Sequence, residues 1–195
     1  MNQRLSLILG SSSRYRRDLL ARLNLPFESA SPDIDESALP EESAPARAER
    51  LAIAKARALA QRFPAHLIIG SDQVAELNGK HLGKPGNREN AIAQLTACSG
   101  KTVNFYTGLC LFNSATGEYQ SLVEPFAVTF RHLTNEEIER YVDAEQPFDC
   151  AGSFKSEGLG IALFESLNGR DPNALVGLPL IALCEILRRV GIAIP

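Results

Sequence analysis

Short apolar runs alternate with amphipathic stretches along this chain. Leu5–Gly10 (LSLILG) is an apolar run stopped by a glycine, which predicts a strand, and Ser11–Ser13 can cap a helix starting just after them. From Tyr15 to Leu25 the leucines at 19, 20 and 23 recur at helical spacing. A polar, proline-containing stretch from Ser29 to Pro45 predicts a long connection. Pro45–Phe63 is alanine-rich and sets Leu51, Ala54, Ala58 and Leu59 on one face of a predicted helix. His66–Gly70 (HLIIG) predicts a second short buried strand, followed by a Gly/Lys-rich connection through Pro85.

Glu89–Ala97 has helical character and stops before Ser99-Gly100. Val103–Asn113 and Leu122–Arg131 are rich in β-branched and aromatic residues, predicting neighbouring strands with a turn near Thr116-Gly117. Thr134 and Glu137 form a capping-box pattern that opens a helix over Asn135–Glu145. Ile161–Phe164 predicts a strand and Leu178–Val190 a closing amphipathic helix. Helices alternating with strands predict an α/β fold, and the central hairpin makes its sheet mixed. The polar connections around residues 10–16, 29–45, 70–86 and 151–158 fall at strand ends, where such folds bind ligands. They can converge on one cleft.

The 195 residues suit one domain covering 1–195, and the 45% hydrophobic content can fill its core. Twenty basic against 23 acidic residues leave a net charge of −3, which argues against a protein that coats nucleic acid by bulk charge. No apolar run approaches the roughly 20 residues of a membrane helix. The N-terminal apolar stretch is too short for a signal peptide and is followed by arginines. A cytoplasmic protein with no membrane or nucleic-acid partner is expected. Cys98, Cys110, Cys150 and Cys184 have neither CxxC nor zinc spacing, which predicts buried free thiols. His66, His81 and His132 are scattered and carry no predicted role.

There is no Walker-type phosphate loop, no HExxH and no Gly-x-Ser-x-Gly elbow. Gly158-Leu159-Gly160 starts a GxGxxG, but Leu163 stands where its third glycine belongs. Four groups of polar residues remain. Ser11–Arg17 sits at a strand-to-helix junction and combines hydroxyls, guanidinium groups and free backbone N–H groups, which suits an anion site, or a helix-capping serine run with solvated arginines. Residues 1–17 hold four arginines and no acid, so the local field is positive. Gly70-Ser71-Asp72-Gln73 puts an acid directly after a strand, suited to a metal ion or to general-base work on water, though equally to a turn. Asp33, Asp35 and Glu36 can join it as ligands, or simply belong to a solvated loop, since residues 28–49 contain seven acids against Arg47. Lys55, Lys84 and Lys155 are point charges suited to phosphates, or surface lysines. Arg170-Asp171-Pro172-Asn173 reads as a structural turn.

Together these segments resemble the Maf family of nucleoside triphosphate pyrophosphatases. The match is carried by Ser11–Arg17, Asp35-Glu36, Lys55, Gly70–Gln73, Gly83-Lys84-Pro85, Phe105–Gly108, Gly152–Gly158 and Asn173–Pro179, in the family's order. The resemblance implies a mixed central sheet flanked by helices, two lobes around a deep cleft, and hydrolysis between the α- and β-phosphates with a divalent cation, Mg²⁺ or Mn²⁺. It also implies that a homodimer is common. Asp72 matches the family's proton acceptor, and Glu36 an acid on the metal side of the cleft. The metal ligands implied are thus Glu36 and Asp72. Ser11, Arg16, Lys55 and Lys84 match triphosphate-binding positions. Three specificity positions fall on Tyr15, Gln73 and Glu157. The branch acting on dTTP and UTP has Arg, Thr and Gln there, and the 7-methyl-GTP branch has Trp, Gln and Glu. This chain follows the second branch at Gln73 and Glu157 and departs from it at Tyr15; Arg14 replaces the motif's usual proline.

Chemistry agrees with that branch. A carboxylate such as Glu157 accepts from both the ring N–H and the exocyclic amine of guanine, whereas uracil or thymine would face it with a carbonyl oxygen. A cationic 7-methylguanine also stacks on an aromatic ring such as Tyr15. The alternatives are a pyrophosphatase for dTTP, UTP or another modified nucleotide, and a nucleotide-binding regulator of cell division without turnover.

Overall fold

A computed structural model describes residues 6–195, so Leu5 and Arg4 lie outside the described residues. The strands are β1 (Ser6–Gly10), β2 (Phe27–Ala30), β3 (His66–Leu77), β4 (Lys80–Leu82), β5 (Thr102–Asn113), β6 (Tyr119–Phe130) and β7 (Phe164–Gly169). The helices are α1 (Arg14–Ala21), α2 (Ala44–Ala58), α3 (Arg88–Cys98), α4 (Asn135–Glu145), α5 (Pro172–Val176) and α6 (Leu180–Arg189). All seven strands form one mixed sheet in the order β2-β1-β3-β5-β6-β7, with β4 added to β3. β1 runs parallel to both β2 and β3, and every other pairing is antiparallel.

Alternation along the strands sends side chains to separate cores. Leu67 and Ile69 of β3 and Leu109 and Leu111 of β5 pack with Leu20 of α1 and Leu183 and Ile186 of α6. Ile68, Cys110 and Phe112 face the other way, onto Ala52 and Ala56 of α2. Further along the same long strands, Phe105, Phe126 and Phe130 pack with Leu95 of α3, Ile138 and Val142 of α4, and Phe154. The first two groups share the Leu67–Ile69 end of β3 and the third takes its Ala75–Leu77 end, which corresponds to the two lobes expected.

Several boundaries differ from the expected ones. α1 ends at Ala21 rather than Leu25, because the chain turns and Asn24 enters the left-handed region at φ 52°. α2 ends at Ala58, and its buried face is Ala48, Leu51, Ala52, Lys55 and Ala56, leaving Ala58 exposed. The expected connection after Gly70 is instead strand through Leu77 and a hairpin into β4. β2 lies inside what reads as a polar connection, held by its parallel pairing with β1. Leu159–Leu163 is a 3-10 turn, and strand pairing begins only at Phe164, which meets Phe130. The Thr134/Glu137 capping box and the helix behind it are as expected. No helix among the described residues is long and apolar enough to cross a membrane.

Candidate active site

β3 changes partners midway. Its pairing with β1 ends at Gly10 and Gly70, and its pairing with β4 begins at Ala75 and Leu82. Between them Ser71–Val74 are paired only with Leu109–Tyr106 of β5. One edge of the strand is therefore bare over four residues, and Asp72, Gln73 and Val74 line a cleft of about 840 Å³. Strand alternation sorts them. Ser71 and Gln73 point toward α5, where Ser71 Oγ donates to Gly177 O at 3.0 Å and Gln73 Nε2 to Ala174 O at 2.9 Å. Asp72 points the other way, toward α2.

α2 comes close enough to meet it because two glycines lie beneath. A Cβ on Gly70 would stand 2.1 Å from Ala52 O, and one on Gly108 2.1 Å from Ala48 O. Lys55, buried on this helix, donates to Asp72 Oδ1 at 2.6 Å and pairs with Glu36 Oε1 at 2.9 Å. Glu36 comes from the loop between β2 and α2, which Arg50 ties down by donating to Ser37 O at 3.1 Å and Glu42 Oε2 at 2.8 Å. Burial pushes the Glu36 carboxyl up, but the Lys55, Lys84 and Arg16 cations outweigh it and hold it below its ordinary value.

The β1–α1 corner closes the floor. Ser13 caps α1 by accepting from Arg16 N, and Ser11 Oγ accepts from Ser13 N at 3.1 Å. Arg16 Nε donates to Gly177 O at 2.7 Å, which points the guanidinium into the cleft. Burial pulls its pKa down, against the opposing pull of Asp72 and Glu36. Tyr15 hydrogen-bonds Asp149 through its hydroxyl at 3.3 Å, and the Arg14 guanidinium lies 4.8 Å from the Tyr15 ring centroid. One ring face is thus covered by the protein's own cation. Burial, aided by Cys150, pushes the Tyr15 phenol up to about 12 despite its bond from Arg14. Glu157 is exposed at the rim, and with Tyr15 it also lines an adjoining groove of about 390 Å³.

All nine residues predicted for the site line this cleft: Ser11, Tyr15, Arg16, Glu36, Lys55, Asp72, Gln73, Lys84 and Glu157. Lys55 touches both Asp72 and Glu36, while Gln73 turns its amide nitrogen into α5 and Lys84 stands exposed at the edge. Asp33 and Asp35 are not in the cleft, and Asp35 Oδ1 instead accepts from Ser37 N in a local turn. Lys155 points away, donating to Glu145 O at 2.9 Å and so pinning the Ser156–Glu157 loop to the end of α4. The Arg170–Asn173 turn is structural, as expected: buried Asp171 accepts from Asn173 N and Ile181 N.

Among the charged and imidazole side chains that line the cleft, three escape sequence reasoning, namely Arg47, His81 and Asp149. Arg47 stands two helical turns before Lys55, a spacing that could have flagged it; Asp149 gives no comparable signal. The cysteines are unpaired, and only Cys98 and Cys110 are fully buried, since Cys150 and Cys184 are half-buried. Among the described residues no group of three or more His, Cys, Asp or Glu side chains is placed to hold a metal ion. Glu36 and Asp72 nevertheless suit a small hard cation, which is commonly held by one or two carboxylates with substrate phosphates supplying other oxygens.

Residues 6–190 match the family of Maf-like proteins. A protein of Idiomarina loihiensis named 7-methyl-GTP pyrophosphatase is 60% identical over 190 residues, covering 96% of each chain. A Pseudomonas aeruginosa protein of the same name is 60% identical over 189 residues, covering 97% of this chain and 98% of its own. Among solved structures, the Ham1 protein of Staphylococcus aureus superposes with a TM-score of 0.54 at 14% identity, over 95% of this chain and 99% of that one. A HAM1 protein of Coxiella burnetii gives 0.55 at 15% identity over the same shares. The mixed sheet with flanking helices is common to them.

Proposed function

The chain belongs to the Maf family, and from that membership we propose that residues 1–195 act as one domain that hydrolyses 7-methyl-GTP to 7-methyl-GMP and pyrophosphate. The observation that carries the chemistry is the row Asp72–Lys55–Glu36, which starts from the bare stretch of β3, in a cleft also lined by Arg16 and Lys84. Asp72 takes a proton from the water that attacks the α-phosphorus, while the bond from that phosphorus to the α,β-bridging oxygen breaks. Lys55 holds Asp72 in place through Oδ1. Its other oxygen, Oδ2, takes no hydrogen bond from the described residues, so it is available to the water.

Arg16, Lys55 and Lys84 balance the charge that gathers on the departing pyrophosphate. Ser11 helps shape the corner that receives the phosphates. Glu36 and Asp72 are the residues that would hold a divalent cation, Mg²⁺ or Mn²⁺. Bound there, it would neutralise charge on the phosphate oxygens.

The base is read at the other end. Glu157 offers two acceptor oxygens to the N–H groups of guanine, and pyrimidines would set a carbonyl against it. Tyr15 offers one open ring face to the methylated, cationic base, a contact of about 0.5–2 kcal/mol. Gln73 supports this end through α5. The test incubates the protein with Mg²⁺ or Mn²⁺ and 7-methyl-GTP, GTP, UTP or dTTP, scoring pyrophosphate separately from orthophosphate. Pyrophosphate released fastest from 7-methyl-GTP is expected. Fastest release from another base would overturn the specificity, and no release from any would leave a nucleotide-binding regulator.

A further inference from the structure

Arg47 belongs to none of the segments that carry the family resemblance, yet it lines the cleft. α2 presents Arg47, Leu51 and Lys55 to the cleft at successive turns, so the α-carbon of Arg47 lies about 12 Å along the helix from that of Lys55. Its guanidinium spans the cleft edge. Nη2 donates to Glu36 O at 3.0 Å, and Nη1 meets His81 Nδ1 at 3.2 Å. Nε is buried with no hydrogen-bond partner, the one such side-chain atom among the described residues. A guanidinium fork is shaped for two anionic oxygens, and here it is spent on one peptide carbonyl and one imidazole nitrogen.

Contacts tie Arg47 to the acidic row: Lys55 joins Asp72 to Glu36, and the Glu36 carbonyl leads on to Arg47 and His81. A nucleoside triphosphate brings on the order of four negative charges near neutral pH. Arg16, Lys55 and Lys84 meet it with three cations, but Lys55 is already shared between two carboxylates. Charge is short by at least one cation, and Arg47 stands beside this row.

Taking the pyrophosphatase reading as given, we infer that Arg47 receives the terminal phosphate, so that the cleft distinguishes nucleoside triphosphates from diphosphates. On binding, the guanidinium exchanges the Glu36 carbonyl and the imidazole for phosphate oxygens.

The test uses the full chain with Arg47→Gln and, to retain charge without the fork, Arg47→Lys. Inorganic tripolyphosphate is titrated by calorimetry, which needs no turnover, and kinetics are compared for 7-methyl-GTP and 7-methyl-GDP. Arg47→Gln is expected to weaken tripolyphosphate binding roughly tenfold or more. It should lower the triphosphate-over-diphosphate ratio of kcat/KM by a similar factor, through KM rather than kcat, with Arg47→Lys in between. Tripolyphosphate binding within twofold of wild type in both variants would overturn the inference, as would equal losses on the two nucleotides. If the wild-type protein cleaves no nucleotide, the pyrophosphatase reading fails, and the tripolyphosphate titration still judges Arg47.

Discussion

Asp72 is a carboxylate whose two oxygens have different tasks. Oδ1 is engaged by the Lys55 ammonium at 2.6 Å, and Oδ2 is left without a protein donor among the described residues. Replacing it with Asn keeps the shape and a carbonyl oxygen for Lys55 but removes the proton acceptor. Asp72→Asn is therefore expected to lower turnover of 7-methyl-GTP by about 10²–10⁴-fold and to leave nucleotide affinity within a few-fold of wild type. Single-turnover kinetics with a binding titration check this, and retained turnover would remove Asp72 from the proton-transfer role. This residue is legible in the sequence because an acid directly after an apolar run is locally conspicuous. Asp149 is not. It reaches Tyr15 across 134 positions of sequence, and nothing around it marks a ligand-facing carboxylate.

Elements show the same division. The α4 capping box is readable because it closes over Thr134 and Glu137 alone. β3 reads as shorter than it is because Ser71-Asp72-Gln73 looks like a loop. Those polar residues sit in a strand only because β5 pairs them on one side while the other edge is bare. The seat of α2 is equally hidden, since it depends on two glycines on different strands under one helix. Gly108→Ala would push a methyl against Ala48 O and lift α2 off the sheet. A loss of about 1–3 kcal/mol of stability is expected from such overpacking, together with reduced turnover because Lys55 moves with the helix. Denaturant unfolding and steady-state kinetics on the same preparation check both, and wild-type stability would show that α2 has room to shift.

At the scale of the molecule, one sheet serves three core groups, and the cleft opens where neither β1 nor β4 covers β3. The alternation of helices and strands is enough to expect the α/β class and the mixed sheet. The convergence of four distant polar segments on one cleft is an expectation that only the strand order could bear out, since it depends on β1, β3 and β5 lying side by side.

The bare stretch of β3 has a mechanical consequence. β5 runs unbroken behind it, paired with β3 from Leu67 to Glu76 and with β6 from Tyr119 to Thr129. The cleft is thus a notch cut into one side of a continuous beam, and not a gap between jaws on a hinge. Closing such a notch by swinging the lobes would bend or break the ladder at its strongest part. Capture of a nucleotide is left to side chains and to the loop that carries Glu36. Small-angle scattering with and without nucleotide is expected to show an unchanged radius of gyration, and a clear contraction would mean that the beam bends.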